Sequence, residues 1–270
     1  MEKKVETNQT QKSGSNSVNV QTQNLNISNG LSYSEAKEVA QDVFDRNFYR
    51  LSNTAREIAE NRASELVNDF LHNLHINSPI ISGSINDPDF QYVLFEAQKQ
   101  YARNGNVQIK ELLVNVLTKR INTPSKLEIV ICNEAINSIS KLTNNQLVAL
   151  ELIYTLTVQK PSDLAVNVKE HLIKYVLPIA NKIKIETTDL EHLLYASCCN
   201  KESIKNHLAD IYQKAFPQEF TSHDPNGYII LQCPDIGLLF PLWHSSIFCQ
   251  LSLTSVGKYI GQLLSETENF

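Results

Sequence analysis

Apolar residues recur every three or four positions from Ala36 to Leu74, through Val39, Ala40, Val43, Phe44, Phe48, Leu51, Ala55, Ile58, Ala59, Ala63, Leu66, Val67, Phe70 and Leu71. A period near 3.6 predicts an amphipathic helix. No Gly or Pro interrupts Tyr33 to Ile76. Ser32-Tyr-Ser-Glu35 has capping-box spacing, in which a hydroxyl and a carboxylate satisfy the first free backbone N–H groups. Unbroken, such a helix would be about 60 Å long at 1.5 Å per residue. That outruns the core of a chain of 270 residues. The rod is therefore either broken by a hinge near Leu51–Thr54 or packed in part on another chain. Its stripe drifts instead of holding a strict seven-residue repeat, which favours globular packing over a simple coiled coil.

Shorter helices follow. Asn77–Asn86 reads as a loop, and Asp87-Pro88 supplies a cap and an N1 proline for Asp89–Arg103, which stops at Asn104-Gly105. Val107–Ile121 is next. Ser125-x-x-Glu128 caps a helix to about Lys141, and Thr143-x-x-Gln146 caps another to about Gln159. Pro161-Ser162 introduces Asp163–Lys182, which Pro178 kinks or ends. Thr188-x-x-Glu191 caps Asp189–Cys199, and Glu202–Phe216 completes the helical series.

The pattern changes after Pro217. Tyr228–Cys233 and Ser246–Leu253 are predicted to pair as antiparallel strands, and Thr254–Leu264 as a closing helix. The expected fold is mainly α: a multi-helix bundle with a long N-terminal helix and a small C-terminal α+β appendix. Divisions are expected at residues 1–30, 31–76, 77–216 and 217–270, with the appendix packed on the helices because it is too small to stand alone.

Met1–Gly30 is rich in Asn, Gln, Ser and Thr, with apolar residues spaced by two at Val18 and Val20 and again at Leu25 and Ile27. It lacks the apolar area to offset its ordering entropy, so a disordered leader is one reading. The other is ordered self-stacking through Val18, Val20, Leu25 and Ile27, with Asn/Gln ladders between copies.

Composition narrows the function. A formal net charge of −5 argues against general nucleic-acid binding, which draws on clustered positive charge. The polar N-terminus shows no secretory signal. The longest apolar-leaning stretch, Ile236–Phe248, is too short to span a bilayer and carries Pro241 and His244. Five cysteines without regular spacing read as reduced thiols, and the cytoplasm is the expected location.

Candidate chemistry is sparse. His192, Cys198, Cys199 and His207 form one possible metal set, but Cys198 and Cys199 would point about 100° apart on a helix. His223, Cys233, His244 and Cys249 form another, with spacings that match no zinc ribbon. Asp87, Asp89, Glu96 and Lys99 resemble an acidic-plus-lysine nuclease arrangement, although Glu96 and Lys99 at i,i+3 also suit a plain helical ion pair. His72 and His75 suit a helix C-terminus. No phosphate loop, nucleophile elbow or zincin helix is present in the sequence, and no motif calls for a cofactor, a metal or a catalytic residue. Phe44, Phe48 and Tyr49 beside Asp45, Arg46 and Arg50 have the aromatic-plus-Arg character of interface anchors, and equally fit an ordinary core.

Gly14–Gln21, Leu25-Asn-Ile27, Gly30-Leu-Ser-Tyr-Ser-Glu-Ala-Lys-Glu-Val-Ala40, Asp42-Val-Phe44 and Asn47-Phe-Tyr-Arg-Leu51 together resemble an uncharacterised bacterial cytosolic family. That family joins a polar leader to a long "SY-x-EA…DVF…NFY-x-L" helix. Gln250–Gly261 is similar to an "L-T-x-x-G" closing segment of phage-exclusion-type proteins, and the leader is similar in composition to prokaryotic amyloid-signalling motifs. The resemblance implies a role in phage defence and transfers no catalytic residue. The expectation is a non-enzymatic, self-associating helical protein, with a protein partner from the same locus. Phe44, Phe48, Tyr49, Leu51, Ile58, Leu66 and Phe70 would form its subunit interface. A metal-dependent nuclease or hydrolase with dispersed acidic residues, and an effector that perturbs membranes through Ile236–Phe248, are the alternatives.

Overall fold

The structure is a computed structural model describing residues 33–47, 51–77, 87–221 and 224–267. The leader residues Val18, Val20, Leu25 and Ile27, the capping Ser32, and Phe48 and Tyr49 lie outside the described residues.

The protein is mainly α-helical, with one small sheet among the described residues. Helices α1 (Tyr33–Asn47), α2 (Asn53–Asn77), α3 (Pro88–Asn104), α4 (Val107–Asn122), α5 (Lys126–Ile139) and α6 (Asn144–Thr157) come first. Short pieces follow: α7 (Pro161–Leu164), α8 (Val168–His171), a π-turn at Leu172–Val176 and α9 (Leu177–Ala180). Then come α10 (Thr187–Tyr195), β1 (Cys199–Lys201), α11 (Leu208–Ala215), α12 (Pro225–Gln232), α13 (Leu239–Ser245), β2 (Leu251–Leu253) and α14 (Ser255–Thr267).

The expected rod is two helices. Helix α1 ends at Asn47, and α2 starts afresh at Asn53 with the Ser52 carbonyl accepting from the Arg56 N–H at 2.8 Å. The break lets α1 pack on α2 and α3, so that one chain shelters most of a stripe that a straight rod would leave bare. Ala36, Ala40, Leu66, Val67, Phe70, Leu71 and Leu74 enter the main core. Phe44, Ala59, Ala63 and Ala102 form a small second one. Phe70 meets Phe90 of α3 at 5.8 Å between ring centroids. Each such side chain taken from water contributes roughly 1.5–3 kcal/mol.

The caps of α3, α5 and α6 stand where the sequence puts them. Asp87 accepts from the Asp89 N–H, Ser125 from the Glu128 N–H, and Thr143 and Gln146 complete a reciprocal box. Gln146 also donates its side-chain amide to the Asp189 carbonyl at 3.0 Å, which ties α6 to α10.

From Pro161 onward the elements depart from expectation. The Asp163–Lys182 helix is divided at Ala165–Asn167, and a π-turn precedes Pro178. Proline has no N–H for the carbonyl four residues back and its ring crowds that carbonyl, so the backbone widens ahead of it. Helix α10 begins two residues earlier than Thr188-x-x-Glu191 implies, with the Asp189 carboxylate accepting from the Glu186 N–H at 3.0 Å. It ends at Tyr195, which puts Cys199 on a strand. The Glu202–Phe216 helix shrinks to Leu208–Ala215.

Tyr228–Gln232 is helical, and Cys233 ends the helix. Asp224 caps the Gly227 N–H at 3.1 Å, Pro225 takes the first turn, and the buried Ile229 and Cys233 are spaced by four, a helical interval. Only Leu251–Leu253 of the second expected strand is extended, and it pairs antiparallel with β1 (Cys199↔Leu253, Asn200↔Ser252, Lys201↔Leu251). The C-terminal segment is thus stitched into the helical body. Helix α14 packs on α6, α5 and α4. Gly257 makes that seating possible, because a Cβ there would overlap the Cys198 carbonyl.

Candidate functional site

A groove of about 770 Å³ opens between the N-terminal half of α2 and the C-terminal end of α3. Leu51, Ala55, Ile58 and Ala59 form one wall; Lys99, Ala102 and Arg103 form the other, with Arg62 at the end. Leu51 is 41% exposed and Ile58 46%. Small side chains (Ala59, Ala63 and Ala102) pack with Phe44 between the helices, and the Phe44 and Phe95 rings meet at a tilt with centroids 6.4 Å apart.

The rim is cationic. Arg62 donates to the Ala102 carbonyl at 3.1 Å, satisfying a free acceptor at the end of α3. It lies directly over Gly105, which ends that helix in the left-handed region at φ 64°. Lys99 pairs with Glu96 at 2.6 Å and sits over the Phe95 ring. Arg103 is exposed and makes no ion pair among the described residues. Apolar walls under a basic rim suit a ligand that brings apolar side chains and a carboxylate together.

The interface residues expected from sequence part company here. Leu51 and Ile58 face solvent and line this groove. Phe44, Leu66 and Phe70 are buried inside the chain's own core, so they present no surface to a partner. The rim cations carried no signal in the sequence, since α2 and α3 become neighbours only through tertiary packing.

Other candidate groups are occupied structurally. Asp89 is held by Arg120 and Asn133, and Arg120 also covers the Phe90 ring at 5.1 Å. Glu96 lies two turns along α3 from Asp89, roughly 10 Å by helical rise, and is bound to Lys99. The structure does not bring these carboxylates together. His192 Nδ1 accepts from the Gln146 side-chain amide at 3.0 Å. Cys198 and Cys199 are buried; burial pushes the Cys198 thiol up to about 11 and the Cys199 thiol higher still. His223 lies outside the described residues. Among the described residues, no three His, Cys, Asp or Glu side chains gather as a metal site.

His244 meets His207 instead, with Nδ1 atoms 2.8 Å apart and ring centroids at 4.8 Å. Burial and the neighbouring His207 hold His244 below the usual imidazole range.

Ile236, Leu239, Trp243 and Phe248 of the apolar C-terminal stretch are core residues, and the Trp243 indole donates to the Asn206 carbonyl at 2.7 Å. Among the described residues, no helix is long and apolar enough to cross a membrane.

A second groove, of about 580 Å³, lies between α2, α4 and α14 and is lined by Asp69, His72, Glu111, Asn115, Lys119 and Glu266. Lys119 and Glu266 bridge it at 2.7 Å.

No curated protein and no solved structure matches the chain. Residues 30–226 match a protein-family model described only as a "-like" family, with no activity in its description. The match takes in α1 through the first residues of α12, and the chain belongs to that family.

Proposed function

We propose that this is a non-enzymatic, self-associating helical protein that serves a bacterial antiphage defence system from the cytoplasm. The observation that carries the reading is the α2–α3 groove, where the large apolar side chains of Leu51 and Ile58 stay exposed beside the buried Ala59, Ala63 and Ala102. Exposed apolar side chains framed by Arg and Lys are the composition that interface centres favour. The defence role is supported by the resemblance of the N-terminal segment and of the Gln250–Gly261 closing segment. The polar leader, with Val18, Val20, Leu25 and Ile27, would add a second contact between copies once the helical bodies have met.

Sedimentation velocity on the full chain over two decades of concentration tests the association. Growth of the sedimentation coefficient with concentration supports it, and a single monomer boundary throughout refutes it. Plaque counts on cells expressing the wild type or Ile58→Asp test the role: protection lost with the variant supports the reading, and equal protection refutes a groove-dependent function.

A further inference from the structure

The groove has a counterpart elsewhere on the same molecule. Helix α5 buries Cys132, Ala135, Ile136 and Ile139 on one face. On another it exposes Leu127 at 70% and Val130 at 55%, and continues into the exposed Glu134. Residues 127, 130 and 134 follow i, i+3, i+7 spacing, so they form a single ridge: two apolar knobs, then a carboxylate. Glu134 makes no ion pair among the described residues. Glu128, on a different side of the helix, is taken by the Thr123 hydroxyl.

Groove and ridge cannot meet within one chain. Helix α5 touches α3 at the Asp89 end, through Asn133. The groove uses α3 from Lys99 to Arg103, fourteen residues further along at the far limit, or about 20 Å by helical rise. Two unlike, complementary patches at separate places on one surface define a heterologous contact, which propagates instead of closing as a two-fold pair.

Resting on the self-association reading above, we infer that copies of this chain join head to tail. The Leu127–Val130 ridge of one copy enters the Leu51/Ile58 groove of the next, and Glu134 reaches the Arg103 guanidinium. Charge sets the direction: the groove offers Arg62, Lys99 and Arg103 against the single carboxylate of Glu96, and the ridge ends in a free carboxylate. Reversing the ridge would bring the exposed Lys126 to the cationic rim instead. A contact built on a few apolar side chains falls at the small end of protein interfaces, so the assembly is weak and concentration-dependent.

The test uses variants that disable one patch at a time in the full chain, each checked for helical content by circular dichroism. Ile58→Asp spoils the groove and Leu127→Asp the ridge; both positions are exposed, so both proteins are expected to fold. Each alone should lose self-association by about tenfold or more, as removal of an interface anchor does. An equimolar mixture should form a dimer and stop there, because the single intact groove then meets the single intact ridge. Arg103→Glu should weaken association, and Arg103→Glu/Glu134→Arg should restore it. A wild type that associates while the mixture stays monomeric, or while either Asp variant associates unchanged, overturns the head-to-tail contact and leaves self-association standing. A wild type that is monomeric at every concentration overturns both.

Discussion

Lys110 of α4 places its Nζ 2.7 Å from the Asp69 carboxylate of α2, and the same ammonium reaches Glu65 one turn earlier at 2.5 Å. Glu65 in turn accepts from the Tyr101 hydroxyl of α3 at 2.9 Å. Three helices are clipped at one nearly buried cation. Burial alone pushes the ammonium down, and the bonds and charges of Asp69 and Glu65 more than reverse this, so Lys110 stays charged.

Replacing Lys110 by Ala leaves two carboxylates side by side without their counter-ion. Losing one partner of a buried pair costs about 3–5 kcal/mol. Here both carboxylates are about half exposed and recover part of their hydration, which reduces the loss to about 2 kcal/mol. The hydrogen bond from Lys110 is the main cause holding the Glu65 carboxyl below its ordinary value. A group with a depressed folded pKa stabilises above its unfolded pKa, and the gain fades as pH falls through the folded one. Urea titrations should show a lower midpoint for Lys110→Ala at neutral pH and a smaller difference from wild type in acid. An equal difference at both would contradict the clip.

His171 is fully buried, with Nδ1 2.9 Å from the Tyr212 hydroxyl, its ring stacked on Tyr175, and Nε2 without a partner. Burial holds its pKa down to about 4. Between that value and the unfolded value near 6.5, the unfolded chain binds the extra proton, so stability rises with pH across this window. The span corresponds to about 3 kcal/mol, lost on acidification from pH 6.5 to 4. His171→Gln should flatten this limb of the stability–pH curve measured by urea midpoints. A curve of unchanged slope would show that His171 is not its source.

Gly105 stands at φ 64°, and a Cβ there would overlap the Arg62 guanidinium. Ala at this position pays for a left-handed backbone, of order 1 kcal/mol, and also displaces Arg62 from the Ala102 carbonyl. Gly257→Ala meets backbone instead of a flexible side chain. Thermal melts should therefore rank wild type above Gly105→Ala, and Gly105→Ala above Gly257→Ala. The reverse order of the two variants would contradict the packing of α14 on Cys198.

All five cysteines are buried and none is paired. Desolvation raises the Cys132, Cys198 and Cys199 thiols, and the Cys132 thiol also donates to the Tyr259 hydroxyl at 3.2 Å. A thiol that neither ionises nor meets solvent reacts slowly. Labelling with a chromogenic disulfide at pH 8 should be slow in the native protein and reach five thiols per chain in denaturant. Fast native labelling of Cys198 or Cys199 would contradict their placement.

The helical series up to α6 was legible because each signal there is local. A cap acts on the N–H groups of its own first turn, and an apolar period near 3.6 needs no knowledge of the neighbour. Asp87, Ser125 and Thr143 illustrate this. Beyond Pro161 the same signals mislead: Thr188-x-x-Glu191 has the right letters, but Glu186 and Asp189 hold the first turn, two residues earlier. Tyr228–Cys233 looks like a strand by composition, yet it is helical up to Gln232 because Asp224 and Pro225 start a helix before it. The Gln250–Gly261 segment reads as a motif in the sequence, and the structure supplies its physical content. Leu251–Leu253 is a strand, Thr254 accepts from the Gly257 N–H at 3.0 Å, and Gly257 admits the Cys198 backbone.

Sequence alone established a mainly α chain, most of its helix starts, and a strongly amphipathic N-terminal segment, since periodicity and capping are written within a few residues of where they act. Whether that segment is one rod or two helices, which of its apolar residues are sheltered, and which cations stand beside Leu51 and Ile58 were decided by packing. Phe44 and Ile58 occupy equivalent places in the apolar pattern. One is sealed and the other exposed only because α1 folds onto α2 and α3 at the level of Phe44, and the end of α3 leaves the groove beside Ile58 open.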